Sequence, residues 1–219
     1  ESFSIFDERS AVYAVGPDGQ SRRPIPDITL YKGRVAGDIG SWVYLAIEAA
    51  GMSGTIIAGG TAYTVYTPAL LSMAPGETPR ITIAEKTDEE SEYSCGVTDE
   101  DEIAQLGGLI ASAPKKLLAA RDTLLAQIAI EADFEAYQHY KSLANTENYI
   151  IARMGESSAI YERDLDVTLK IPFMRVWTVK DPFPGSSDRE LLNVFTNYWR
   201  DNMDTVARTG GDEFVVMCQ

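Results

Sequence analysis

Residues 124–140 read LLAQIAIEADFEAYQHY, and the spacing of apolar residues changes within this stretch. The first ten residues form a short apolar run, which is typical of a strand buried inside a sheet. The remainder places Phe134, Tyr137 and Tyr140 at helical spacing. The stretch therefore predicts an inner strand that is followed directly by a helix.

The next segment, NTENYIIARMGESSAIYERDL, carries the clearest helix pattern in the chain. It predicts a helix that starts at Asn145 or Thr146 and places Ile150, Met154 and Tyr161 on one face. This helix would follow the inner strand and cover one side of its sheet.

After this helix, DVTLKIPFMRVWTV predicts a long strand. Val167, Leu169, Ile171 and Phe173 alternate toward one face, and Pro172 disturbs the hydrogen-bond ladder because proline has no N–H. A proline here is therefore expected to mark an irregularity in the strand.

SSDRELLNVFTNYWRDNM predicts a second amphipathic helix that Ser187 or Asp188 caps, and DEFVVMCQ predicts one more strand. The order strand, helix, strand, helix, strand is typical of a mostly parallel sheet with covering helices. The apolar face of the second helix would contain Leu191, Leu192, Phe195, Tyr198 and Trp199.

The N-terminal part of the sequence predicts strands rather than alternating strands and helices. Residues 1–86 are rich in Gly, Thr and β-branched residues with turn signals at short intervals, and Gly59-Gly60 predicts a hairpin turn. Residues 87–113 are acidic and polar and predict a linker, whereas residues 114–219 hold the strand–helix pattern. The expected fold class is therefore α+β, with a β-rich N-terminal domain and a partial α/β domain.

Charge narrows the choice of partners. The 219-residue chain carries a net charge of −14, which argues against nucleic acid as the main partner because nucleic acid binding needs a basic surface. The sequence contains no apolar run of about 18 residues, so no transmembrane segment is expected. The chain starts at Glu1 rather than Met, which fits either a processed mature terminus or a trimmed sequence. Processing would mean export, and the expected location is then the extracellular space or the periplasm.

Few residues can support catalysis. His139 is the single histidine and is expected to be a half-buried structural residue, so a zinc site built on several histidines is excluded within these 219 residues. The run Asp99–Glu102 lacks the order of a calcium loop. The carboxylate pairs Asp133/Glu135 and Glu162/Asp164 are interpreted as solvated faces. We expect no catalytic residue, no bound cofactor and no phosphate-cradling loop in this chain.

Three patches of the second half resemble the reprolysin-like (ADAM-type) zinc metallopeptidases of the metzincin clan. They are Glu131-Ala132-Asp133 at the end of the inner strand, Ile160-Tyr161 in the long helix, and Val176-Trp177-Thr178 followed by Asp181. LLNVFTNYWRDNM is similar to the second helix of that family, and the Gly-punctuated strands of the first half are similar to its pro-domain. The resemblance covers roughly residues 28 to 205.

The resemblance also gives a role to Cys95, which lies in SCGVT between two acidic runs. In that family a pro-domain cysteine, often in Cys-Gly-Val-Thr, occupies the open position of the catalytic zinc and keeps the zymogen inactive. A thiolate suits this role because it is a soft, anionic zinc ligand. The resemblance therefore implies that Cys95 is a candidate metal ligand, while Cys95 and Cys218 are equally able to be free or to form a disulfide.

The family's H-E-x-x-H-x-x-G-x-x-H motif is absent from residues 1–219, so zinc is implied only for a complete family member. Two functions remain open. The chain is either the pro-domain and first catalytic portion of a secreted zymogen, or a non-catalytic, exported accessory subunit that kept a peptidase scaffold. Its partner would be the missing C-terminal catalytic half in the first case and another protein in the second.

Overall fold

The computed structural model describes residues 1–49, 51–67, 81–85, 124–185, 187–202 and 213–218. Three helices lie within these residues: α1 (Phe134–Tyr140), α2 (Leu143–Leu165) and α3 (Asp188–Asn202). The strands are β1 (Ser2–Phe3), β2 (Ala11–Gly16), β3 (Gly19–Arg23), β4 (Ile28–Gly33), β5 (Trp42–Glu48), β6 (Gly51–Ala58), β7 (Thr61–Tyr66), β8 (Thr82–Glu85), β9 (Leu124–Ala132), β10 (Val167–Lys170), β11 (Phe173–Trp177) and β12 (Glu213–Cys218).

The first sheet is antiparallel and has the strand order β1-β4-β5-β6-β7-β8. The expected hairpin is confirmed between β6 and β7, where Ala58 pairs with Thr61. Both turn residues, Gly59 (φ 58°) and Gly60 (φ 81°), have the positive φ that a type I′ turn requires. Glycine adopts this conformation without strain because it has no Cβ.

The second sheet is built around β9, as the apolar run of residues 124–133 predicted. Ile130 of β9 pairs with Met174 of β11 and with Val216 of β12, so these two strands flank β9 on opposite sides. β9, β10, β11 and β12 are parallel, and β2 adds to the far side of β11, also in parallel. β3 then pairs with β2 in antiparallel orientation.

A bulge at Pro172 separates β10 from β11. Lys170 lies opposite Gln127, whereas Met174 lies opposite Ile130, so the strand gains one residue over β9 between these two pairs. Beside the bulge, the carbonyl of Pro172 accepts a hydrogen bond from the Ala11 N–H at 2.9 Å. The expected irregularity at this proline is confirmed.

The extra residue reverses the side chains that follow it. Ile171 lies in the core that surrounds α2, whereas Phe173 packs in the separate core below α3. The prediction that Phe173 shares a face with Leu169 and Ile171 is therefore wrong, because one inserted residue moves every later side chain to the other face of the strand.

α2 is packed between the two sheets. Its core contains Leu30, Tyr44 and Ala46 from the first sheet together with strand residues of the second, and α2 contributes Ile150, Ile151, Ala152 and Ala159. The Tyr44 hydroxyl donates a hydrogen bond to the Ala152 carbonyl at 2.6 Å. The helix therefore buries two faces rather than one.

The opposite face of the second sheet is covered by α3. Phe195 and Trp199 of this helix pack on Ala129, Phe173 and Phe183. The N-cap of α3 is Ser187, because its Oγ accepts a hydrogen bond from the Glu190 N–H. The second predicted helix is thus confirmed, although Leu192 points to solvent and is 61% exposed.

Two details of α2 differ from the sequence prediction. The helix starts after Ser142, whose Oγ accepts the Asn145 N–H, so Asn145 and Thr146 lie inside the first turn. Tyr161 is 45% exposed, because the buried residues follow the two sheets rather than a single stripe. None of the helices that the structure describes is long and apolar enough to cross a membrane.

The α+β fold class is confirmed by this arrangement of β-sheets and helices. The boundaries near residues 86 and 113 lie outside the described residues and stay predictions. β2 and β3 nevertheless belong to the second sheet, so the N-terminal β-rich part contributes to both sheets.

Gly155 offers a test of the close contact between α2 and the first sheet. A Cβ at this position would lie 2.6 Å from both Leu30 Cδ1 and the Tyr44 hydroxyl, whereas a Cβ at Gly33 would meet nothing within 4 Å. We expect Gly155→Val to lower the free energy of unfolding by about 1–3 kcal/mol through overpacking, and Gly33→Val to leave it nearly unchanged. Urea unfolding of both variants measures this difference, and equal midpoints would contradict the packing.

Candidate functional site at the carboxyl ends of the parallel strands

The parallel strands end at one edge of the second sheet, and the connections that follow β9 and β11 turn to opposite faces. β9 leads to α1 and α2 on one face, whereas β11 leads to α3 on the other. Ligand sites of open α/β sheets are found at such divergence points, outside the carboxyl ends of the strands. The residues at this edge are therefore the first candidates for a functional site.

Glu131, near the end of β9, is completely buried and receives four hydrogen bonds. Arg175 donates from Nε to Oε1 at 2.6 Å and from Nη2 to Oε2 at 2.8 Å, which is a bidentate ion pair. The indole N–H of Trp177 donates to Oε1 at 2.5 Å, and that of Trp199 donates to Oε2 at 2.7 Å. A buried carboxylate is tolerated only with such compensation.

Arg175 is held as firmly as its partner. Its Nη1 donates to the side-chain oxygen of Gln20 at 3.1 Å, which links the ion pair to β3. The guanidinium also lies over the rings of Phe173, Trp177 and Tyr198, at 5.6, 5.3 and 5.6 Å from their centroids. Stacking of this kind favours arginine over lysine, because the planar guanidinium is less strongly hydrated than an ammonium group.

Asp133 lies directly beyond β9 and caps α1. Its Oδ1 accepts the Ala136 N–H at 2.7 Å, and the residue is only 4% exposed. The pKa of Asp133 is raised to about 6, mainly by burial; the capping hydrogen bond opposes this rise, and the nearby charges of Glu135 and Asp181 add to it. The interpretation of Asp133/Glu135 as a solvated pair is therefore wrong for Asp133.

The other expected solvated pair divides in the same way. Glu162 accepts a hydrogen bond from Lys32 Nζ at 2.5 Å, so it joins α2 to β4. Asp164 pairs with the neighbouring Arg163 at 2.6 Å and is exposed, and this hydrogen bond lowers its pKa. Of this pair, Asp164 has the solvated character that the sequence predicted, as Glu135 does in the first pair.

Asp181 connects the two loops at this edge. Its Oδ2 accepts the Phe134 N–H and its Oδ1 accepts the Phe183 N–H, both at 2.9 Å. The loop after β11 is thereby tied to the start of α1. Both oxygens are engaged in backbone contacts, so Asp181 fixes the loop geometry.

These residues organise the edge of the sheet through hydrogen bonds and ion pairs. Within the described ranges, no three His, Cys, Asp or Glu side chains lie close enough together to hold a metal ion. The residues that the structure describes therefore do not by themselves fit the zinc that the family resemblance implies. His139 is exposed in the last turn of α1, with its ring 4.7 Å from that of Tyr140, so the expectation of a half-buried histidine is wrong.

The cysteines are only partly described. Cys95, the candidate switch ligand, and the acidic run Asp99–Glu102 lie outside the described residues, so both predictions stay open. Cys218 is the last residue of β12 and pairs in register with Ala132 of β9. Its backbone therefore lies at the same edge as Asp133.

The sequence patterns did not reveal the Glu131–Arg175 pair. A signal was present, because each residue is a single charge within an apolar strand, in AIEA and in FMRVW. Charges of opposite sign in two buried strands can pair when the strands are neighbours. The register that makes them neighbours, Arg175 opposite Glu131, is a long-range property.

Comparison with known proteins assigns no family. No protein-family model matches the sequence, and a search of curated proteins finds no match. The class that the fold and the site define is an α+β protein with a mostly parallel sheet, and the carboxyl edge of this sheet is organised around a buried ion pair.

Removing the charge of Glu131 tests the importance of this pair. Glu131→Gln leaves the buried guanidinium of Arg175 without its counter-charge, which typically costs about 3–5 kcal/mol. We expect a large drop in the urea midpoint and a shift in tryptophan emission, because Trp177 and Trp199 lose a charged acceptor. Asp164→Asn breaks an exposed pair and should change neither quantity. A native-like midpoint for Glu131→Gln would contradict the assigned role.

The raised pKa of Asp133 predicts a pH dependence with a definite sign. The folded state binds this proton more tightly than the unfolded state, so stability falls as pH rises from about 4 through about 6. At about 1.4 kcal/mol per pKa unit, this contribution is at most about 3 kcal/mol. Asp133→Asn removes this titration and keeps a good N-cap. The free energy of unfolding of the variant, relative to that of the parent, should therefore increase between pH 4 and pH 7.

Unfolding curves at several pH values measure this difference. Glu135→Gln is the matched variant, because it keeps Asp133 and removes one charge that raises its pKa. It should move the pH dependence of the parent to lower pH without abolishing it. Parallel stability profiles for the parent protein and Asp133→Asn would contradict the burial of this carboxyl group.

Proposed function

We propose that this chain is the pro-domain and the N-terminal catalytic portion of a secreted, reprolysin-like zinc metallopeptidase precursor, and that it does not hydrolyse peptides by itself. A single observation carries this proposal. Residues from separate patches of the family resemblance lie together: Glu131 accepts a hydrogen bond from Trp177, and Asp181 accepts one from Phe134, which directly follows the Glu131–Asp133 patch.

The order of the elements supports the same proposal. The Glu131-Ala132-Asp133 patch ends β9, Ile160-Tyr161 lies in the last turns of α2, and the Val176-Trp177-Thr178 patch ends β11. Patches that matched by chance would have no reason to fall at equivalent positions of consecutive elements. This order is the observation that supports the proposal.

The zinc ligands of such an enzyme have no counterpart among residues 1–219, which contain one histidine. They would belong to a segment encoded further along the gene. Under this proposal Cys95 is the inhibitory thiolate, and the soft anionic character of a thiolate is what suits it to block an open zinc position.

The gene itself provides the decisive test. An in-frame H-E-x-x-H-x-x-G-x-x-H motif is expected downstream of the codon for Gln219. A stop codon directly after Gln219 would overturn the precursor proposal and would favour the alternative, an exported accessory subunit without catalytic activity.

The proposed switch predicts the behaviour of the precursor. Cys95→Ser in the complete precursor should raise the initial rate of fluorogenic peptide cleavage by about tenfold or more, since a ligand contact worth ~1.4 kcal/mol gives a factor of ten. Cys218→Ser is the matched control and should leave the rate unchanged. Equal rates for Cys95→Ser and the parent would remove Cys95 from this role.

A further inference from the structure

The chain segments on the two sides of residues 86–123 form one core. Leu30, Tyr44 and Ala46 precede these residues in sequence, whereas Ile130, Leu169 and Met174 follow them, and all six belong to the same buried cluster. Each of them is no more than 3% exposed. Neither segment could keep this core buried without the other.

The first contact surface between the segments is the open edge of β11. Five residues of β2, Ala11 to Val15, pair in register with Phe173 to Trp177. The pairing continues at its end, where the Val15 carbonyl accepts both the backbone N–H and the hydroxyl of Thr178 at 2.9 Å. This is the geometry of strand addition, in which main-chain hydrogen bonds provide affinity and alternate side chains provide specificity.

The second contact surface is the face of α2 toward the first sheet. Lys32 Nζ lies 2.5 Å from Glu162 Oε1, and the Thr55 hydroxyl donates to Glu156 Oε1 at 2.5 Å. The Tyr44 hydroxyl, on the strand between those of Lys32 and Thr55, reaches the Ala152 carbonyl. The polar contacts thus span β4, β5 and β6 along the helix.

β3 adds polar contacts with the second segment. Gln20 accepts from Arg175, and Arg23 Nε lies 3.5 Å from Glu147 Oε1, a buried carboxylate of α2. The Gln20 contact reaches the ion pair that organises the carboxyl edge of the sheet. Loss of the N-terminal segment would leave one donor of Arg175 without this acceptor.

We infer that the N-terminal segment, which ends at residue 85, is a strand-donating partner of the C-terminal segment, residues 124–218, and stays bound after the chain is cut between them. The surface that holds it consists of the β11 edge and the first-sheet face of α2. The occupant of this surface is the protein's own N-terminal segment, acting without a covalent connection. Cutting the chain would therefore not be sufficient to release it.

The experiment inserts a site for a sequence-specific protease between Gly107 and Gly108 of the full chain and confirms complete cutting by intact mass. Size-exclusion chromatography at about 1 μM should give one peak at the volume of the uncut protein, because the two pieces share one apolar core that neither can keep buried alone. Amide exchange in β11 should remain as slow as in the uncut chain. Two separate peaks in native buffer, or rapid exchange in β11, would overturn the inference.

Matched variants test whether the two contact surfaces hold the cut pieces together. Tyr44→Phe removes only the hydroxyl that donates to Ala152 and should weaken association of the cut pieces about two- to tenfold, whereas Tyr31→Phe on the exposed face should not. Gly155→Val should weaken association about tenfold or more in the cut protein, with Gly33→Val as its control. Equal dissociation constants for the Tyr44 and Tyr31 variants would contradict the assigned surface.

The association does not depend on the proposed peptidase relationship. Chromatography of the cut chain tests the binding of the two segments, while the gene sequence tests the precursor. If the pieces separate but the zinc motif is encoded, only the association fails. If the pieces stay together and no motif is encoded, the N-terminal segment remains an integral part of the fold without a role in a zymogen.

Discussion

The carboxylate of Glu131 is the group on which the arrangement of the second sheet depends. It is fully buried and is neutralised by donors from two elements, since Arg175 and Trp177 lie on β11 and Trp199 lies on α3. A charge in this position is tolerable only while all its partners are present. Its partners therefore fix the register of β11 against β9 and the position of α3 on the sheet, and Arg175 extends the same network to β3 through Gln20.

The second constraint is the burial of α2 on two sides. One stripe of an amphipathic helix usually faces a core, but here Ala152, Gly155 and Ala159 form a row of small residues toward the first sheet. Small side chains let Leu30 and Tyr44 approach the helix closely. The larger residues Ile150 and Ile151 are buried as well, so the helix holds the two sheets together.

Local signals in the sequence were sufficient for much of this fold. The glycine pair at residues 59 and 60 identified its hairpin, because positive φ is a local property. The apolar run of β9 and the strand–helix order identified the parallel sheet. The pairing of β2 with β11 could not be predicted, because its partners are some 160 residues apart in sequence and parallel pairing has no turn to mark it.

The candidate site, too, depends on long-range contacts that the sequence does not reveal. Asp133 was recognised as part of a carboxylate pair, but its burial follows from the packing of α1 against the sheet. Glu131 and Arg175 each carried a visible signal, a charge in an apolar strand. Their pairing required the register that the bulge at Pro172 establishes, and a one-residue irregularity cannot be located from alternation alone.

The bulge also determines which changes of chain length the second sheet can absorb. Loss of Pro172 would place Phe173 directly after Ile171, and regular alternation would then keep both side chains on their present faces and Arg175 opposite Glu131. A second loss within the same strand would leave it one residue short of β9 and would turn part of its side chains to the wrong core. Descendants of this gene can therefore lose the codon of the bulge without losing the ion pair, but no further codon of this strand.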